Sequence, residues 1–177
     1  VFYLKFNQQR EATPLQNANI RKALAMAFDK QAYADVVLQN GSIPANGLVP
    51  EKLALDPSTG EDYREQNGDL LTFNAEEAKT YFEKGLAELG VESITLELLS
   101  DDTENAKRSS EFLQSQLQTN LPGLTVTLRN VPFKVRLEAD TAGEYDISLS
   151  GWGADYADPI NFLELFQTEN GNNKSGY

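Results

Sequence analysis

The sequence predicts an α/β domain with a mixed or largely parallel sheet flanked by helices. Segments in which apolar and polar residues alternate, as they do in strands, are separated along the chain by segments with apolar residues at helical spacing. The length of 177 residues, with 40% hydrophobic and 24% charged residues, suits one globular unit with its own core. We therefore expect residues 1–177 to form a single α/β domain.

Strand patterns occur at four places along the chain. They cover residues 2–6, 93–100, 124–131 and 145–150. The last strand is predicted to have one apolar and one polar face, because successive side chains of a strand point to opposite sides. The apolar face comprises Tyr145, Ile147 and Leu149, and the polar face comprises Asp146, Ser148 and Ser150.

Helical patterns occur at six places. They cover residues 17–28, 30–39, 74–90, 104–120, 132–143 and 159–168. Asn17, Asp29 and Asn74 are predicted to cap the amino ends of the first three helices, and Glu77 completes a capping box with Asn74.

Glycine and proline mark other boundaries. Gly41 is placed for a left-handed residue after the second helix, and Gly90 and Gly143 end two later helices. Pro132 suits the first residue of the fifth helix. Turn signals continue from Gly41 to about Thr72, and so long a stretch without regular structure is typical of a functional or exposed loop.

Charge and missing residue types exclude several functions. The formal net charge of −12 repels phosphate, so we expect no nucleic-acid partner. The chain has no cysteine and no histidine, which excludes thiol nucleophiles, disulfides, Ser-His-Asp triads and nearly every zinc site. We predict no metal site, no cofactor and no enzymatic activity. No apolar run approaches the ~20 residues of a membrane helix.

The stretch "GWGADYADP" follows the last predicted strand, and ligands of open α/β sheets bind at the carboxyl ends of strands. Asp158 is predicted to cap the last helix, with Pro159 as its first residue. Asp155 has no comparable structural role visible in the sequence. Gly151 and Gly153 carry no Cβ, so a ligand backbone can approach them and pair as an added strand does.

Several strings of this sequence match a known family. They are "FYLKFN", "IRKALAMAFDK", "GSIPANGLVP", "NAEEAKTYFEKGLAELG", "YDISLSGWGADYADPINFLELF" and "GNNKSGY", and the match runs along nearly all of the 177 residues. Through them the chain resembles the extracytoplasmic oligopeptide-binding proteins of ABC importers, and "GWGADYADP" followed by "FL" is the most specific part of the resemblance. The resemblance implies the C-terminal lobe of a two-lobed protein with the type II periplasmic-binding-protein fold.

The resemblance also implies roles for particular residues. In peptide-binding relatives the acid of this loop receives the peptide's α-ammonium and the loop backbone pairs with the first peptide residues. By position, the acid is Asp155 and the backbone is that of Gly151 and Gly153. Trp152, between the two glycines, is expected to form a wall of the pocket. Phe133 falls where relatives often carry an aromatic residue that lines the cleft.

Leu149 departs from the pattern of some relatives, which carry arginine at this position. The departure leaves open how the carboxylate of a short peptide is handled and which peptide length is preferred. The structural alternatives are that Trp152 is a packed aromatic beside a tight turn, that Phe133 belongs to the core, and that Asp155 bonds neighbouring loop N–H groups as an Asx turn.

Family members are roughly three times the usual single-domain length. The resemblance therefore implies that the N-terminal lobe, a returning C-terminal segment and a lipoprotein or secretory leader lie outside these 177 residues. The implied partners are a peptide ligand, the membrane permease of an ABC importer and the missing N-terminal lobe of the same chain. We expect a monomer, located outside the cytoplasm as a cell-surface lipoprotein or a periplasmic protein.

Three other functions stay open from the sequence. The same lobe can belong to a receptor whose peptide is a signal, or to a family member that binds a non-peptide ligand such as a metal chelate. A glycosidase that uses Asp155 and Asp158 as its carboxylate pair is the enzyme alternative.

Overall fold

The structure is a computed structural model that describes residues 1–70 and 72–177. Leu71, in the stretch predicted to consist of turns, lies outside the described residues. In chain order the strands and helices are β1 (Phe2–Phe6), α1 (Ala18–Met26), α2 (Lys30–Ala32, continued as a π-helix over Tyr33–Leu38), α3 (Tyr63–Asn67), α4 (Ala75–Leu89), β2 (Ile94–Asp101), α5 (Glu104–Asn120), β3 (Leu124–Val131), α6 (Phe133–Ala142), β4 (Ile147–Gly151) and α7 (Ile160–Leu163). Short 3₁₀ turns cover Pro14–Gln16 and Glu164–Phe166.

The described strands form one mixed sheet in the order β1-β4-β2-β3. β2 is parallel to both β3 and β4, whereas β1 is antiparallel to β4. The predicted α/β class with a mixed sheet is therefore confirmed. Because the three parallel strands run the same way, their last residues Asp101, Val131 and Gly151 lie at one edge of the sheet, beside the first residues of β1. We call this the carboxyl edge.

The main core lies between one face of the sheet and the helices α1, α4 and α5. Its buried side chains are Leu15, Ile20, Ala23, Leu24, Met26, Ala27, Ala78, Phe82, Leu86, Ile94, Leu96, Leu98, Leu113, Leu117, Leu121, Leu124, Val126 and Ile147. α1 and α4 approach closely at Gly85, where a Cβ would lie 2.6 Å from the terminal methyl of Ile20. The absence of a side chain at this helical position allows the two helices to pack directly.

The opposite face of the sheet carries a smaller cluster, formed by Leu99, Ala139 and Tyr145 with Val131 against it. This corrects the prediction that Tyr145 shares a face with Ile147 and Leu149. β4 begins only at Ile147, so Tyr145 precedes the strand and the alternation of its side chains does not apply there. α6, which contributes Ala139, covers this face.

The predicted helix caps are confirmed in most details. The Asn17 side chain accepts from the N–H groups of Asn19 and Ile20, at 2.8 and 3.1 Å. Asn74 accepts from the Glu77 N–H at 3.0 Å, but the return bond of the capping box differs from the prediction. Glu77 bonds the Asn74 side-chain amide, since the Asn74 backbone N–H donates to the carbonyl of Met26.

The end of the second helix differs from its prediction. The helix widens into π-type turns and ends at Leu38. The C-cap, Gln39, adopts the left-handed conformation with φ 47° and donates its N–H to the Ala34 carbonyl. Gly41 also has positive φ, at 79°, but it lies in the turn that follows. The π turn closes over five residues rather than four, which a helical pattern of period 3.6 does not reveal.

Two other boundaries also differ from the predictions. Pro132 is extended and precedes α6, which begins at Phe133, so Pro132 is the N-cap and not the first helical residue. The stretch predicted to consist of turns contains the short helix α3, whose first turn is capped by Asp62. Five helical residues carry too few apolar positions to show a period.

We predict that Gly85→Leu destabilises the fold by about 1–3 kcal/mol, because the added side chain overpacks the contact between α1 and α4. Urea unfolding followed by circular dichroism measures the change. Ala87→Leu adds the same side chain at an exposed position of the same helix, and it is expected to shift stability by no more than about 0.5 kcal/mol. Equal effects of the two substitutions would contradict the close approach at Gly85.

Candidate functional site

The candidate site is the loop between β4 and α7, at the carboxyl edge of the sheet. It contains four of the residues singled out from the sequence: Gly151 as the last residue of β4, followed by Trp152, Gly153 and Asp155. These four residues lie close together, because they fall within five consecutive residues of the loop. The fifth, Phe133, begins α6 after β3, two strands away, which corresponds to roughly 10 Å along the same edge.

The loop backbone continues the pairing with β1 beyond the end of β4. Trp152 donates its N–H to the Val1 carbonyl at 2.9 Å and accepts from the Val1 nitrogen at 2.7 Å. Hydrogen-bonded and non-hydrogen-bonded pairs alternate along an antiparallel ladder. The next pair, Phe2 and Gly151, is therefore non-hydrogen-bonded, and the N–H and C=O of Gly151 point away from β1.

On the other side of β4, the pairing with β2 is short. It joins only Leu98 to Ile147 and Leu99 to Ser148. Gly151 lies three residues beyond Ser148, so its N–H and C=O point toward a side where the ladder has already ended. Gly153 lies two residues further along the loop, beyond the end of β4. A second extended chain can pair with this stretch of backbone.

The two glycines differ in the space around them. A Cβ on Gly151 would lie 3.0 Å from the ring of Phe2, so the chain's own side chain occupies this space. This corrects the expectation that both glycines leave room for a ligand. A Cβ on Gly153 would meet nothing within 4 Å. Of the two glycines, only Gly153 has open space where a side chain would stand.

The loop is held by a residue that sequence reasoning missed, Asn161 in α7. The oxygen Oδ1 of Asn161 accepts from the indole Nε1–H of Trp152 at 3.0 Å and from the backbone N–H of Asp155 at 3.1 Å. Trp152 is half-buried, with its ring fixed by this bond. The signal that could have indicated Asn161 is an amide beside Ile160 and Phe162 in the mostly apolar string "INFLELF".

The two loop aspartates have different environments. Asp158 accepts from the N–H of Ile160 at 2.9 Å, so its side chain bonds the first turn of α7 as predicted, but α7 begins at Ile160 and not at Pro159. Asp155 is exposed, and no group among the described residues donates to its carboxylate. The Asx-turn alternative for Asp155 is therefore wrong. Its carboxylate is free to accept hydrogen bonds from a ligand.

Phe133 stands on the surface with 58% of its area exposed, so the alternative that places it in the core is wrong. Its ring lies under the guanidinium of Arg136, at 5.2 Å from the ring centroid. Arg136 is buried and donates to Asp101, the last residue of β2, at 2.8 Å. This ion pair joins α6 to the carboxyl edge and places Phe133 there.

A second ion pair, Lys5 with Asp140, joins α6 to β1, and both side chains are largely buried. Tyr145 and Tyr3 lie close to this pair. Burial raises the pKa of each tyrosine, and the negative charge of Asp140 raises it further. Both phenols therefore stay neutral at physiological pH. This face of the sheet consequently holds α6 through charged and polar side chains rather than through a wide apolar contact.

A cavity of about 640 Å³ opens beside β1, on the face of the sheet away from α6. Its wall is mostly apolar and includes Phe2, Leu4, Tyr33, Val49 and Leu149. Residues 42–51 of the turn-rich stretch form one side of it. Leu149, whose position carries arginine in some members of the resembled family, thus contributes an apolar side chain to a cavity wall.

The described residues contain no group of three or more histidine, cysteine, aspartate or glutamate side chains placed to hold a metal ion. Within the same part of the chain, no helix combines the length and the apolar character needed to span a membrane.

Comparison with known sequences identifies relatives over the whole chain. The sequence model described as "Bacterial extracellular solute-binding proteins, family 5 Middle" matches residues 1–174. The dipeptide-binding protein of Lactococcus lactis subsp. cremoris is 38% identical over 174 residues, covering 94% of this chain and 31% of the relative. DppE of Bacillus subtilis, a dipeptide-binding protein, is 37% identical over 178 residues, covering 100% and 32%. The chain thus spans about a third of the length of these relatives.

Solved structures show the same similarity. Listeria monocytogenes OppA bound to peptide superposes with a TM-score of 0.97 at 56% identity, covering 99% of this chain and 35% of that one. The pheromone receptor PrgZ superposes with a TM-score of 0.93 at 41% identity, covering 99% and 34%.

We predict that Lys5→Met lowers the free energy of unfolding by about 3–5 kcal/mol, because it leaves Asp140 buried without its partner. Replacing both residues, as Lys5→Met with Asp140→Leu, is expected to recover most of this loss, since an apolar pair needs no charge compensation. Denaturant unfolding measures both. Lys134→Met breaks the exposed pair with Glu138 in the same helix and is expected to have little effect. A double variant as unstable as Lys5→Met would contradict a role based on charge pairing.

Proposed function

Because this chain belongs to the bacterial extracellular solute-binding proteins of family 5, we propose that it is one lobe of a peptide-binding protein that delivers peptides to an ABC importer. In this proposal the lobe forms one wall of the peptide cleft and binds the peptide's amino terminus at the carboxyl edge. The sequence and structural relatives support it, since they are named as dipeptide-binding, oligopeptide-binding or peptide-bound proteins.

The observation that carries the proposal is the exposed carboxylate of Asp155, which accepts no hydrogen bond within the described chain. A peptide α-amino group has a pKa of about 8 and is mostly protonated at neutral pH. A charge-assisted hydrogen bond to Asp155 then recognises that a peptide begins, without reading its side chains. Such recognition suits a protein that binds many peptides.

The backbone of Gly151 and Gly153 is proposed to pair with the first residues of the peptide. The N–H and C=O of Gly151 point toward the side of β4 where pairing with β2 has ended. An extended peptide is proposed to bind there as a strand adds to a sheet edge. Backbone pairing gives affinity that does not depend on the peptide sequence. Trp152 and Phe133 are proposed to line the cleft on either side.

The length of the relatives indicates that the proposed protein is longer than this chain. The chain spans about a third of its curated relatives, so we propose that a second, N-terminal lobe supplies the facing wall and that the cleft closes on the peptide by a hinge motion. We call this longer protein the whole protein. We propose that it acts as a monomer outside the cytoplasm, as a surface lipoprotein or a periplasmic protein, and presents its peptide to a membrane permease.

A second candidate function is a receptor for a peptide signal. The similarity to the pheromone receptor PrgZ, at a TM-score of 0.93, favours it specifically. A receptor is expected to select one peptide or a few, whereas a nutrient binder accepts many. Binding of a diverse peptide library by the whole protein distinguishes the two.

We predict that Asp155→Asn in the whole protein weakens the binding of peptides with a free amino terminus by about 2–5 kcal/mol, because one partner of an enclosed charge pair is removed. Isothermal titration calorimetry measures the change. Asp158→Asn is the matched control in the same loop, since asparagine also caps a helix, and it is expected to leave affinity nearly unchanged. Unchanged affinity in Asp155→Asn would show that another group binds the ammonium.

We also predict that residues 1–177 alone bind peptide far more weakly than the whole protein, because the isolated lobe encloses only half of the ligand. The same titration of the separate lobe measures this. Binding by the isolated lobe as tight as that of the whole protein would contradict a cleft with two walls.

A further inference from the structure

Asn161 connects the two parts of the site that are proposed to contact the peptide. Its Oδ1 accepts from the Nε1–H of Trp152 and from the N–H of Asp155. These donors precede Asn161 by nine and six residues in the sequence. We propose that Asn161 is a positioning residue that directs the Asp155 carboxylate and the backbone of residues 151–153 toward the peptide. This inference rests on the proposed role of Asp155.

The Oδ1 atom of Asn161 is suited to positioning the loop by its geometry and surroundings. A side-chain amide oxygen has two lone pairs, and here both are used by donors of the same loop. Asn161 is only 2% exposed, its own N–H donates to the Asp158 carbonyl at 3.1 Å, and its neighbours Phe162 and Leu165 are buried. The acceptor therefore belongs to the packed part of the molecule, whereas the two donors belong to the exposed loop.

Besides the two bonds to Asn161, the middle of the loop has one exposed side-chain hydrogen bond in the described structure, from the Tyr156 hydroxyl to Glu164 at 3.3 Å. Gly153 has no atom within 4 Å of where its side chain would stand, and Ala154 and Asp155 are exposed. A loop that samples many conformations must be ordered when the ligand binds, which reduces affinity. The bonds to Asn161 order it beforehand, and so place the carboxylate for the incoming ammonium.

Asn161→Leu tests the inference, because leucine has a similar size and no acceptor. The measured quantity is the ratio of affinities of the whole protein for one peptide with a free and with an acetylated amino terminus. We expect Asn161→Leu to lower this ratio about tenfold or more, and Asn161→Asp, which keeps an acceptor oxygen, not to lower it. If Asn161→Leu does not fold, Asn161→Ala removes the acceptor with a smaller side chain.

Asn7→Leu is the matched control. Asn7 is also fully buried, and its amide donates to the carbonyls of Gly143 and Tyr145 at the amino end of β4, away from the loop. We expect it to reduce stability and leave the affinity ratio unchanged. In the double variant with Asp155→Asn, Asn161→Leu is expected to lower the ratio no further, since both changes act through the same carboxylate.

The outcomes separate this inference from the proposed function. A wild-type protein that binds free and acetylated peptides equally would overturn the role of Asp155 itself. A ratio that falls in Asp155→Asn but not in Asn161→Leu would overturn only the positioning role. An equal fall in Asn7→Leu and Asn161→Leu would also overturn it, because the effect would then follow from lost stability.

Trp152 supplies a readout that needs no peptide, since it is the one tryptophan in the 177 residues. Its indole N–H gives a single ¹⁵N-coupled resonance in a spectrum of this chain. We expect hydrogen exchange of this proton to be slowed in the wild type and in Asn161→Asp, and to be fast in Asn161→Leu. Exchange that is equally slow in Asn161→Leu would contradict the bond on which the inference depends.

Discussion

The site depends on a difference in length between the two hydrogen-bonded ladders of β4. Its ladder with β1 continues as far as Trp152, whereas its ladder with β2 ends at Ser148. The end of β4 is therefore held on one side and has unused backbone groups on the other. A strand paired equally on both sides would have no hydrogen bonds to offer, and one paired on neither side would not be ordered. The candidate binding backbone exists because the two neighbours stop at different places.

The helices on the two faces of the sheet are held by different interactions. The face toward α1, α4 and α5 is a continuous apolar core that stabilises the fold. The face toward α6 is joined by the pairs Lys5–Asp140 and Arg136–Asp101, with Tyr145 buried beside them. Ion pairs have directional geometry, so they locate α6 more narrowly than apolar contact does. α6 can thereby present apolar side chains such as Phe133 to the carboxyl edge, where they are available to the proposed cleft.

The sequence was sufficient to predict the four strands of the described residues and the long helices, because each strand and helix carries its own periodicity. It was also sufficient to separate Asp158 from Asp155, since the proline after Asp158 implies a cap. It did not predict that Phe2 occupies the space beside Gly151, or that Tyr145 faces away from Ile147. Both depend on contacts or boundaries between segments far apart in the chain. Asn161 was missed because an amide within a short helix resembles an ordinary polar position until its two donors are seen.

The central claim is that Asp155 receives the amino terminus of a peptide that extends along Gly151. A crystal structure of the whole protein with a bound peptide tests it most directly. We predict the peptide nitrogen at about 2.7–2.9 Å from an Asp155 carboxylate oxygen, with peptide backbone bonded to Gly151. A peptide bound in the reverse direction, or with its amino terminus distant from Asp155, would contradict the claim.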